Sequence, residues 1–191
     1  MLIALLLTIT FAPAQDSPQK LFESGKYQEA IDNVKGRSDA PREDVYLRAL
    51  AHRKLNQTDD AKEAFRALEG GDGAWKEIGK SGVALIDGNQ DGAAEAARKA
   101  VDADGDNAQA RYQLGLVESA RNNQQEAADA FAKAAELNPQ MAYAHYEAGM
   151  AFYKAKKVDR MAVYFENFLR IAPNAPERPA VQSIMRTVRG R

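Results

Sequence analysis

The sequence predicts an all-α solenoid of stacked helix-turn-helix units, ended by a C-terminal capping helix. Three observations predict it. Residues of three kinds recur at one interval: Gly115 and Gly149, Phe131 and Phe165, and Pro139 and Pro173 all stand 34 positions apart. A fixed period of that length marks stacked-unit architectures. The composition favours alanine, glutamine, lysine, arginine and acids over valine, isoleucine and threonine, which is helix-forming material. Asp, Asn and Gly gather at 87–92 and 102–106, where turns between helices are expected. An ordinary amphipathic bundle also spaces apolar residues by three and four. It gives no reason for an interval of 34.

Met1 to Phe11 is apolar, and Ala12-Pro13-Ala14 follows before the polar Gln15-Asp16-Ser17. This is the pattern of a cleaved export signal over 1–14, cut after Ala14. The run is about half the ~20 residues that a membrane span needs, so no stable span is expected. One feature departs from the pattern, since no Lys or Arg precedes the apolar run. Residues 15–41 read as a truncated first unit whose second half is YQEAIDNV (27–34). Four fuller units follow at about 42–72, 73–107, 108–141 and 142–175. Residues 176–191 read as a capping helix (Ala180 to Val188) with a basic tail of Arg178, Arg186, Arg189 and Arg191. An end unit must shield its last apolar face, and a polar cap does so.

Segments 111–139, 145–173 and 46–69 share this layout, and the pattern resembles the tetratricopeptide repeat family over nearly all of 18–173. The resemblance implies units of two helices, A and B, stacked into a right-handed superhelix. It places small residues where A and B approach closely: Ala49, Gly79, Gly115 and Gly149 in helices A, and Ala61, Ala93 and Ala127 in helices B. Phe65, Phe131 and Phe165 would fill the space between units, and Pro139 and Pro173 would end helices B. Met161 stands where the last unit should have a small residue, and Asp104-Gly105 replaces the proline of the middle unit.

The stretch AWKEIGKSGVALIDGNQDG (74–92) admits competing readings. Trp75, Ile78 and Gly79 look like the start of a helix A, with two extra residues in the turn after it. An alternative register keeps that turn short and puts Ser81 in the small position. Residues 74–81 also fit a relaxed phosphate-loop pattern, but that motif needs a strand feeding a glycine-rich loop, and helix-forming AKEAFRAL precedes it. Asp87-x-Asn89-x-Asp91-Gly92 resembles the front of a calcium loop, yet Arg98 falls where the closing glutamate belongs.

No cysteine is present, and His52 and His145 stand at helix A positions where a packed ring is expected. Opposite charges nearly cancel to −1, leaving no global field for nucleic acid. No enzyme, cofactor or metal is therefore expected, and nucleotide binding through 74–81 stays only as a remote alternative. The resemblance implies a protein or peptide partner held on the concave face by helices A. In the last unit Tyr143, Tyr146, Met150 and Tyr153 form one stripe at helical spacing. The equivalent places are Tyr112 and Leu116, then Tyr46, Leu50 and Arg53, and, in the register led by Gly79, Lys76 and Lys80. The expectation is an exported scaffold, periplasmic or extracellular, with a structural subunit of an envelope assembly as the alternative.

Overall fold

The structure, a computed structural model, describes residues 16–190, so the expected export signal at 1–14 and the terminal Arg191 lie outside the described residues. Those residues form helices α1 (Pro18–Glu23), α2 (Tyr27–Val34), α3 (Arg42–Lys54), α4 (Thr58–Glu69), α5 (Gly73–Ile86) and α6 (Gln90–Ala103). They continue with α7 (Ala108–Ala120), α8 (Gln124–Leu137), α9 (Ala142–Lys154), α10 (Val158–Ile171) and α11 (Arg178–Arg189). Odd-numbered helices up to α9 are helices A, and even-numbered ones are helices B. Each helix B packs on its own helix A and on the next one, which makes the array a solenoid of stacked helical hairpins.

Every helix A ends by the same device. Gly25, Asn56, Gly88, Asn122 and Lys156 adopt φ between 58° and 76°. The amide of the next residue then donates back five positions, as in Gln57 N–H to the His52 carbonyl and Lys157 N–H to that of Phe152, each at 2.9 Å. A left-handed residue with this bond satisfies carbonyls that the helix end leaves open. Glycine and asparagine reach that conformation cheaply, and four of the five positions hold one of them.

These turns resolve the register of the third unit. Ala49, Gly115 and Gly149 each lie seven positions before the left-handed residue, and in the third unit that place belongs to Ser81, before Gly88. The reading led by Gly79 is therefore corrected. The adjustment sits in the short link after α4, where Gly70-Gly71-Asp72 is all that separates α4 from α5. The turn residues are consequently spaced by 31, 32, 34 and 34 positions, so the period tightens toward the N-terminus.

Packing explains why a serine stands there. A Cβ on Gly115 would meet Phe131 Cδ1 at 2.5 Å, and one on Gly149 would meet Phe165 Cδ1 at 2.4 Å. Glycine is what lets those buried rings reach helix A. In the third unit the ring is replaced by Ala97, which leaves room for Ser81. Gly79 and Gly82 serve a different contact. There the Phe65 carbonyl and ring of the preceding unit come within 2.5 and 2.2 Å of where a Cβ would be. Ala49, Ala61, Ala93 and Ala127 are fully buried, as are Phe65 and Phe165, with Phe131 at 1% exposure. Met161 is buried as well, at the place where the preceding helices B have alanine.

At the far end α11 packs on α10 through Val181 and Met185. Arg178 donates to the Leu169 carbonyl at 2.7 Å, closing the C-terminal turn of α10. No helix among the described residues is long and apolar enough to cross a membrane.

Candidate partner-binding face

The inner wall is built from side chains of helices A, and much of it is filled from within. Tyr46, Tyr112 and Tyr143 are only 1–4% exposed, and Leu50 is buried too. The Tyr46 hydroxyl donates to Gln113 Oε1 at 3.0 Å, and Gln113 Nε2 donates to Ser81 Oγ at 3.1 Å. Ser81 in turn donates to the Ala93 carbonyl at 3.0 Å. This buried relay joins α3, α7, α5 and α6, and each polar group in it finds a partner. Burial pushes the Tyr46 hydroxyl far above the ordinary tyrosine range.

The first and last units meet across the wall. Phe22 of α1 lies edge-on to Tyr143 of α9 with ring centres 5.0 Å apart, and edge-on to Tyr27 at 5.3 Å. Gln19 Nε2 donates to the Gln140 carbonyl at 3.0 Å. Glu23 Oε1 accepts the Ala142 amide at 3.1 Å, so an acid of the first unit caps the first turn of α9. Tyr143 donates to Glu177 Oε2 at 2.8 Å, which leaves Tyr27 to donate to Tyr143 across their 3.0 Å separation. Lys54 of α3 reaches Glu177 Oε1 at 2.9 Å and sits over the Tyr143 ring at 4.6 Å.

Two hollows remain on the wall, with Phe22 lining both. One, of 60 Å³, lies between Phe22, Tyr46, Leu50, Tyr112 and Tyr143. The other, of 170 Å³, is the open mouth, lined by Phe22, Leu50, Arg53, Lys54, Leu116 and Glu147, with Tyr112 at its back. Burial raises the Glu147 carboxyl above the usual carboxylate range, while Lys54, Lys154 and Arg53 pull it back down and Glu177 pushes it further up.

The sequence-based site residues thus fall into four groups. Leu116, Arg53 and Met150 are half-buried, and Tyr153 is 42% exposed at the end of α9. Tyr46, Leu50, Tyr112 and Tyr143 form the closed part of the wall. Tyr146 is half-buried, its ring centre 5.2 Å from Phe168 and 5.9 Å from Tyr143, and burial pushes its hydroxyl up to about 12. It is a packing residue as much as a surface one.

Lys76 and Lys80 are not part of the wall, because the corrected register gives the places of Tyr112 and Leu116 to Ile78 and Gly82. Both lysines lie toward solvent, and Lys80 pairs with Glu77 at 2.7 Å. Residues 74–81 lie inside α5, so they form helix rather than a strand-fed glycine-rich loop. Asp87 pairs with Lys62, and Asn89 accepts the Gly92 amide at 3.0 Å, so this acidic stretch is a helix turn and cap. Asp104 likewise accepts the Asp106 amide at 3.2 Å. His52 meets Gln57 Oε1 at 2.6 Å through Nδ1, and His145 is buried against Tyr164 with Nε2 3.2 Å from the Pro139 carbonyl.

Sequence reasoning missed Glu147, Phe22, Lys54 and Glu177. Glu147 carried a readable signal, since it is the sole acid in the apolar run AYAHYEAGMAFY. The others carried none, because their partners are more than a hundred residues away or in another unit.

Comparison with known proteins agrees with this architecture. Family models described as tetratricopeptide repeat match residues 83–142 and 112–176, and a further one matches 45–69. No curated protein sequence matches the chain. Among solved structures, TTC0263, a thermophilic TPR protein of Thermus thermophilus, is 15% identical with a TM-score of 0.62, the match covering 89% of this chain and 94% of that one. YrrB, described as a TPR protein with an unusual peptide-binding site, is 17% identical with a TM-score of 0.55, over 87% and 88% of the two chains. MamA is 20% identical with a TM-score of 0.51, over 82% of this chain and 95% of its own. At these identities the likeness is one of fold.

Proposed function

The chain belongs to the tetratricopeptide repeat family, and we propose that it is an exported scaffold that grips a partner polypeptide at the mouth of its inner wall. The coarser part, a protein–protein interaction scaffold, follows from the fold. One observation carries the finer part. The 170 Å³ mouth sets an apolar floor of Phe22, Leu50 and Leu116 among charges of both signs, Arg53, Lys54 and Glu147. Such a surface offers an anchor for one apolar side chain and orientation for the charges beside it. Tyr153, exposed on the helix that carries Glu147, extends the contact with area and a polar tip. The peptide-binding site described for YrrB supports a polypeptide as the class of cargo.

A photoreactive phenylalanine analogue tests the assignment when placed at Tyr153 and, separately, at Val163, which is 56% exposed on α10. Partner crosslinks in native cells are expected from 153 and not from 163. Crosslinks confined to 163 would move the interaction to the outer face. Export rests on the apolar run and the Ala12-Pro13-Ala14 site. The N-terminal residue of the mature chain tests it directly, with Gln15 the expected result.

A further inference from the structure

We propose that α1 is a built-in occupant of the inner wall, and that it yields its place to a partner helix carrying a Leu-Phe pair followed directly by a carboxylate. The proposal deepens the reading above by naming the chemistry of the partner. Three features of α1 support it.

The helix has six residues, far fewer than the ~12–15 that sustain a helix by itself. It holds its shape through what it touches. Leu21 and Phe22 are 5% and 3% exposed, so their burial is the main thing keeping it in place.

It packs on α2 and α3, and its contacts with α9 are of the kind a bound peptide makes. Phe22 inserts an aromatic anchor against Tyr143. Glu23 caps the first turn of α9 at the Ala142 amide, and Gln19 reaches the Gln140 carbonyl. Both polar contacts are to backbone, so any chain with the same pattern can reproduce them. Burial also raises the Glu23 carboxyl, so the contact is not one the fold holds at no cost.

The place beside α1 is not sealed. A hollow of 60 Å³ opens beside Phe22, against Tyr46 and Tyr112. An incoming side chain can therefore reach the α1 contact from solvent.

The test uses the full chain and a fluorescent peptide of residues 16–26 (DSPQKLFESGK) as the probe, read by anisotropy. Phe22→Ala empties the anchor site and should bind the probe at least tenfold more tightly than the parent, and a probe with alanine in place of its phenylalanine should not bind.

A second protein keeps the Phe22 anchor, and comparing its two redox states cancels the strain that a side chain meets at the left-handed Gly25. A Cβ on Gly25 would lie 3.7 Å from Pro176 Cβ, within the spacing a disulfide spans. The chain has no cysteine of its own, so Gly25→Cys with Pro176→Cys forms one bond and pins α1 shut. Oxidised, this protein should bind the probe at least tenfold more weakly than after reduction. Equal binding in the two states overturns the proposal, as does a disulfide that forms between two chains, which would make a second copy the occupant. If the probe binds no variant while crosslinking from position 153 persists, the inner-wall function stands and the role of α1 falls.

Discussion

Lys54 and Glu177, 123 positions apart in the chain, meet at 2.9 Å across the mouth of the superhelix. The same carboxylate accepts the Tyr143 hydroxyl, and Tyr143 is the residue on which Phe22 rests. One acid therefore ties the second unit, the last unit and the cap together. Lys54→Met should lower stability by about 0.5–1 kcal/mol, as a partly exposed pair does. Thermal melts at low and high salt check it, and the gap between variant and parent should narrow as salt rises.

The small position of the last unit is under the strictest demand. Gly149→Leu drives a side chain into Phe165, and overpacking of this kind costs about 1–3 kcal/mol. A variant that melts with the parent would contradict the packing described.

Ser81→Ala removes the acceptor that Gln113 donates to, in a site with no access to water. The unsatisfied amide should cost about 1–3 kcal/mol. Urea unfolding reads it, and Ser81→Ala combined with Gln113→Leu and with Tyr46→Phe, which removes the hydroxyl that Gln113 accepts, should recover part of the loss.

Glu147 makes stability depend on pH in a definite direction. Its folded carboxyl titrates above the ordinary glutamate value of 4.5, so the folded state binds the proton more tightly than the unfolded one. The charged form is the one the fold disfavours. Its contribution to stability is therefore fully present below the ordinary value and is lost as pH rises through the folded one. Glu147→Gln should melt above the parent at pH 7, and the difference should close as pH falls below 4.5. A constant difference across that range would mean that Glu147 titrates normally. The same substitution should weaken partner capture if the carboxylate orients the cargo.

Tyr153 and Tyr146 should separate the two roles of α9. Tyr153→Ala leaves the melting curve nearly unchanged and weakens capture, because its ring is 42% exposed. Tyr146→Ala lowers stability by about 1–3 kcal/mol, since its ring packs on Phe168 and Tyr143. Paired melts and pull-downs check both.

The repeat architecture was legible because its determinants are local and periodic. Glycine at 115 and 149 and phenylalanine at 131 and 165 answer to contacts within one hairpin, which a single unit displays. The third unit was harder for a physical reason. Gly79, Ser81 and Gly82 are three small residues within four positions, of which Gly79 and Gly82 face Phe65 of the preceding unit and Ser81 faces helix B. Only the left-handed Gly88 and the shortened link before α5 say which one faces helix B. The wall was misjudged for another reason. Tyr46 and Tyr143 have the spacing of surface residues along their helices, but their partners Gln113 and Phe22 come from units far along the chain. Periodicity reports the face on which a side chain stands, not what the superhelix later brings opposite it.

A linear array of repeats ordinarily loosens from its termini inward, because an end unit has one neighbour where an interior unit has two. The contacts of Gln19, Phe22 and Glu23 with α9 give the first unit of this protein a second neighbour, and Glu177 does the same for the last. The described residues behave as a clasped bracelet rather than an open string. Hydrogen exchange should find α9 protected as well as α5, and releasing the clasp should quicken exchange at both ends at once.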